Sequence, residues 1–138
     1  MGYQGNLVTP AMQVVALQES DSMTSSWATF DLTIDYEFMG DDGFMDISGQ
    51  AVLSEHYQMN YNSISRLYVY LFFLDENSRV LKSARLVRSL TGDVDEVMAF
   101  SHRYKLPAGA TDFSFGYDGM AREIRTFSSF YELPLSKK

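Results

Sequence analysis

No cysteine occurs anywhere in the 138-residue chain. Structural disulfides, thiolate metal sites, CxxC redox chemistry and cysteine nucleophiles are excluded together. Proline is nearly as scarce, with three residues, and no stretch reads as a linker that would divide the chain. Basic residues are few: eleven Lys and Arg against eighteen Asp and Glu, a formal net charge of −7. That balance argues against a nucleic-acid binder, which needs a basic patch to displace counterions. It argues equally against unassisted binding to an anionic membrane surface. No apolar run approaches the 18 residues of a membrane-spanning helix. Met1 to Asn6 show neither the charged nor the apolar region of a secretion signal.

What the chain does contain is aromatic surface. Ten Phe and nine Tyr raise the aromatic share to 14%, within a hydrophobic content of 46%. Such side chains favour pleated, half-buried surfaces. The length suits one domain, residues 1–138, that buries one core. Residues 1–12 and 133–138 are expected to be flexible.

Period-two alternation runs through most of the sequence. Val14 to Leu17 are compatible with a short first strand, and "ESDSMTSS", residues 19–26, reads as a polar loop. In "TFDLTIDYEFMG", Phe30, Leu32, Ile34, Tyr36 and Phe38 face one way and polar residues the other. "GDDG" (40–43) supplies turn chemistry, and Met45, Ile47, Gly49, Ala51 and Leu53 resume the alternation. Strand, Gly/Asp turn, strand is a hairpin signature. "EHYQMNYNSIS" (55–65) breaks the pattern and reads as a crossing loop or one short helical turn linking two sheets.

The most apolar stretch, "RLYVYLFFLDENSRVL" (66–81), puts Leu67, Val69, Leu71 and Phe73 on one face. Tyr68, Tyr70 and Phe72 take the other. Both faces are apolar, which predicts a central strand covered on both sides, or half covered by a tyrosine-rich face. "DENS" is a turn, and Arg79 to Leu90 form the next strand, interrupted by Lys82, Arg85 and Arg88. Beyond the acidic loop 91–96, Met98 to Leu106 alternate again. Pro107 and Gly109 make a corner. Phe113, Phe115 and Tyr117 share one face, and a last strand is expected around Ile124 to Tyr131.

Seven or eight strands without a convincing amphipathic helix predict an all-β fold, an antiparallel two-sheet sandwich of immunoglobulin-like type. A closed eight-stranded barrel is the rival. Phe73, Leu74, Asp75 and Asn77, followed by Leu106, Pro107, Gly109 and Phe113, resemble the strand–turn–strand and Pro-Gly corner of small immunoglobulin-like domains of bacterial envelope proteins and lipoproteins. The resemblance covers about half of the chain. It implies no catalysis and an exported protein of the cell envelope or periplasm, often anchored through an N-terminal lipidated cysteine that this chain lacks. It leaves the cytoplasm open as a location and carries over no functional residues.

Chemistry-bearing motifs are sparse. Two histidines, His56 and His102, are too few for most zinc sites without carboxylates. "DDGFMDISGQAV" fails the calcium-loop spacing, although Asp41, Asp42 and Asp46 would become a plausible cation site if they met the acidic loop Asp93 to Glu96. A Walker loop, a dinucleotide fingerprint and a Gly-x-Ser-x-Gly elbow are all missing. No cofactor, metal or catalytic residue is expected. The best lead is an exposed aromatic patch of Tyr57, Tyr61, Tyr68, Tyr70 and Phe72, because tyrosine gives contact area and a hydrogen bond at low entropic cost. The bland alternative packs these rings inside. The expected role is a non-catalytic binding or structural module that contacts an unknown protein partner, itself a monomer or weak dimer. The alternative is a small barrel or open sandwich that holds an apolar molecule in an aromatic pocket.

Overall fold

The computed structural model describes residues 3–9, 12–17, 23–90, 92–123 and 126–135, with Asp41 described by its backbone alone. Two antiparallel sheets pack face to face as a β-sandwich. One sheet joins β1 (Val15–Ala16), β5 (Ser63–Leu74), β6 (Val80–Ser89), β7 (Gly92–Asp93), β9 (Asp112–Glu123) and β10 (Thr126–Glu132). The other has the order β2 (Met23–Ala28), β3 (Leu32–Asp41), β4 (Phe44–Leu53), β8 (Met98–Lys105). In the larger sheet β9 and β5 are central. β1 and β10 share the outer side of β9, and β6 and β7 share the outer side of β5.

The β3–β4 hairpin follows the sequence pattern. Its ladder closes at the Asp41–Phe44 pair, with Asp42 (φ 49°) and Gly43 (φ 82°) between them both left-handed. A two-residue connection of that kind matches the strand twist. Met45, Ile47, Ala51 and Leu53 are buried as the alternation predicts. The Gly109 corner also has a left-handed backbone, φ 86°. Residues 55–60 form one short helix, α1 (Glu55–Asn60), which carries the chain from β4 in one sheet to β5 in the other. β5 is covered on both faces as expected. Leu67, Val69, Leu71 and Phe73 enter the inter-sheet core beside Phe113, Phe115 and Tyr117.

Three expectations are corrected. There are ten strands among the described residues, two of them only two residues long. The second half of the loop read over 19–26 is instead the start of β2, and residues 18–22 lie outside the described part. β2 is an edge strand in which Trp27 alone is buried, so it shows no apolar alternation. Pairing with β3 makes it a strand, helped by Ser26 donating to Asp35 and Thr24 donating to Glu37. Finally, Phe30 does not belong to the buried face of β3. It sits on the bend before that strand and is 72% exposed. The interruptions in β6 have a cause in register: shifts at Val69/Tyr70 and Phe73/Leu74 leave Leu86 and Leu81 out of the pairing.

The N-terminal stretch is tied down where it is described. The amide of Gly5 donates to Val80 (2.7 Å) and that of Val8 to Ser78 (2.9 Å), while Leu7 bridges both Arg79 and Leu135. Val8 and Met12 are buried.

Candidate functional site

The five aromatic residues singled out by sequence fall into two groups. Tyr57 and Tyr61 stack on α1 with ring centroids 5.4 Å apart. Tyr57 points inward, 4.6 Å from Phe130, and is buried; Tyr61 is half-buried. The Tyr57 hydroxyl donates to Asp31 Oδ1 (2.7 Å), and the Tyr117 hydroxyl donates to Asp31 Oδ2 (2.5 Å). Thr29 in turn donates to the Tyr117 oxygen (2.6 Å), while its own Oγ1 accepts the Asp31 amide (3.1 Å). The bend before β3 is thus locked to α1 and β9 through one carboxylate.

Burial pushes the Tyr57 and Tyr117 phenols well above their usual range, and the Asp31 carboxylate adds to it. Both remain donors at neutral pH, which fits a structural bolt and not a base or nucleophile. Glu132, beside Tyr117 in the ladder, is raised by burial first and by Asp31 second. Around this bolt, His56 lies 5.1 Å from the exposed Phe30 ring, and Met59 is 80% exposed.

Tyr68, Tyr70 and Phe72 form the second group, on the outer face of the larger sheet. Tyr70 and Phe72 are buried there, because Tyr3 lies over them at 5.5 and 5.3 Å. Opposite Tyr70, Gly116 leaves the room that the Phe72 ring needs: a Cβ there would stand 2.6 Å from that ring. Burial pushes the Tyr70 phenol up to about 12, with Tyr3 and Asp118 adding and Arg85 opposing. Tyr68 is half-buried and lies under the Arg85 guanidinium at 5.5 Å. The expected single exposed patch is therefore corrected. Tyr57, Tyr70 and Phe72 are covered, and α1 stands apart from the outer sheet face.

The exposed aromatic surface lies one strand further on, at β10, where sequence reading placed a last strand and no site. Phe130 points into the core over Gly119, and its neighbours alternate outward. Phe127 is 55% and Tyr131 66% exposed. Leu135 and its bridge partner Leu7 are exposed as well. The register carries the aromatic surface across the sheet in one row, Tyr131–Asp118–Tyr68–Arg88, over β10, β9, β5 and β6. Arg66 pairs with Asp118 at 3.4 Å, and the Arg122 guanidinium stands 5.7 Å from the Phe127 ring. The period-two pattern Phe127–Ser129–Tyr131 was the available signal, since it puts two large rings on one face of an edge strand.

The remaining candidates have other places. His102 contacts the Leu86 carbonyl at 3.2 Å and stacks on Tyr104, far along the chain and fold from His56 on α1. The Asp42–Gly43 turn opens β4, whereas Gly92–Asp93 pairs with Ser63–Ile64, beyond the other end of β4. The two acidic loops thus sit at opposite ends of the sandwich. No group of three His, Asp or Glu gathers as a metal site among the described residues. Two open depressions of about 290 and 360 Å³ lie on the outer face of the smaller sheet, lined largely by polar residues such as Glu37, Asp46, Ser48 and Arg103. No protein-family model matches the chain, and neither the curated proteins nor the solved structures contain a match.

Proposed function

We propose that this chain is a non-catalytic binding module that acts through protein contacts made by the outer face of the larger sheet and its β10 edge. One observation carries the reading: Phe127 and Tyr131 stand exposed on a strand that the buried Phe130 anchors to the core. Arginine and tyrosine flank them, the residue types that dominate binding energy at protein interfaces. Two of the ionisable hydroxyls inside the fold, Tyr57 and Tyr117, are committed to the Asp31 bolt, which supports binding over catalysis. The reading of an apolar ligand in an aromatic pocket is less well supported. Phe72, Phe73, Phe113, Phe115 and Tyr117 are fully buried and pack on neighbouring rings.

Photocrosslinking in the producing cell tests the proposal. A photoreactive residue at position 131 is expected to give a discrete protein adduct that Arg88→Glu diminishes, while one at the exposed position 76 gives none. Equal labelling from both positions would refute it.

A further inference from the structure

We infer that the partner at β10 is a second copy of this chain, paired strand to strand across a two-fold axis at Ser129. The inference rests on the binding reading above and names the occupant of that surface. Every second residue of an antiparallel strand turns its amide and carbonyl away from its neighbour. β10 pairs with β9 on one side, and no described strand occupies the other. Natural edge strands are usually blunted by lysine, proline, a bulge or a covering segment. "TFSSFYE" has no lysine and no proline, and its ladder with β9 runs without a register shift.

The strand is also complementary to itself. With Ser129 opposite its own copy, Phe127 faces the second copy's Tyr131, and Thr126 faces the second copy's Glu132. Phe127, Ser129 and Tyr131 alternate with the core-facing Phe130, so both aromatic pairs fall on the outer face. Each outer row then reads Arg122, Phe127, the second copy's Tyr131, the second copy's Asp118: cation, ring, ring, anion. The one charge within the strand, Glu132, never meets its own copy, because the two lie about 20 Å apart at opposite ends. Two-fold pairing of one patch with itself closes at the dimer and does not propagate. A contact seven residues long is small beside the ~1,600 Å² of a standard interface, so the dimer is weak.

Sedimentation velocity over a concentration series tests this. The wild type is expected to shift from monomer to dimer. Ser129→Lys and Ser129→Glu, each placing like charges at the axis, are expected to remain monomeric, and their equimolar mixture to recover a dimer. Ser129→Cys supplies the chain's single thiol and should link two copies under mild oxidation, whereas Glu76→Cys should not. A wild type that stays monomeric to about 1 mM, or a dimer indifferent to Ser129→Lys, would overturn the inference. In that event an adduct from position 131 to a different protein leaves the binding reading standing, and the loss of both defeats both.

Discussion

β8 and β10 are both edge strands, and the structure treats them in opposite ways. β8 ends in Arg103, Tyr104 and Lys105, and Arg103 is paired with Asp46 at 2.7 Å and stands over the Phe44 ring. Its outward side meets β6, where His102 reaches the Leu86 carbonyl at the register shift. Charge and a covering strand make it a poor template for another chain. Along its seven residues β10 carries one charge, Glu132, no described strand covers its free side, and it shows two large rings to solvent. In the proposal above, the open edge of β10 is where contact is made.

The comparison breaks most visibly if β10 is unseated. Phe130→Ala is expected to cost about 3–5 kcal/mol, because it empties the space over Gly119 and beside Tyr57 and Tyr117. Urea unfolding measures it, and a cost below about 1 kcal/mol would mean that β10 is not anchored as described. Asp31→Ala should follow at roughly 2–4 kcal/mol, since two buried hydroxyls lose their acceptor. The Tyr57→Phe, Asp31→Ala double variant should cost less than the sum of the singles.

The same phenols set an alkaline limit. Tyr57, Tyr70 and Tyr117 ionise near 10 in the unfolded chain and higher in the fold, Tyr70 at about 12. Above about pH 10 the folded state holds more protons than the unfolded one, so stability is intact below that value and falls as pH rises through it. Unfolding midpoints taken at about pH 8, 9, 10 and 11 should be flat at first and then decline. A midpoint that rises over the last step would contradict the assignment. The smallest effects sharpen the contrast between the edges. His102→Ala should cost about 1 kcal/mol or less and leave association untouched. Phe127→Lys, which gives β10 a guard of the kind β8 has, should change monomer stability by less than about 0.5 kcal/mol and abolish association.

Much of this architecture is legible in the sequence where the signal is local. The alternation in β3 and β4, the Asp42–Gly43 turn and the buried row Phe113, Phe115, Tyr117 all follow from neighbours along the chain. β2 escaped because an exposed edge strand has no apolar period to read, and Phe30 because the strand begins two residues later. The aromatic site was only partly legible. Tyr70 and Phe72 do lie on the outer face, but their cover is Tyr3, a residue more than sixty positions away. Tyr57 looked available on a polar segment, yet its partner is Asp31 across the fold. Whether a ring is exposed depends on such distant contacts, which period and composition do not encode. The exposed pair Phe127 and Tyr131 stood in plain view as an alternation, but nothing local distinguishes an open edge from a covered one.

Amide hydrogen exchange of the wild-type chain, followed on β8 and β10 at low and high micromolar concentration, tests the contrast most directly. Alternate β10 amides, those turned away from β9, should exchange fast in dilute solution and slow down as concentration rises, while β8 amides stay unchanged. Exchange on β10 that is as slow as on β8 in dilute solution, or that ignores concentration, would contradict the account.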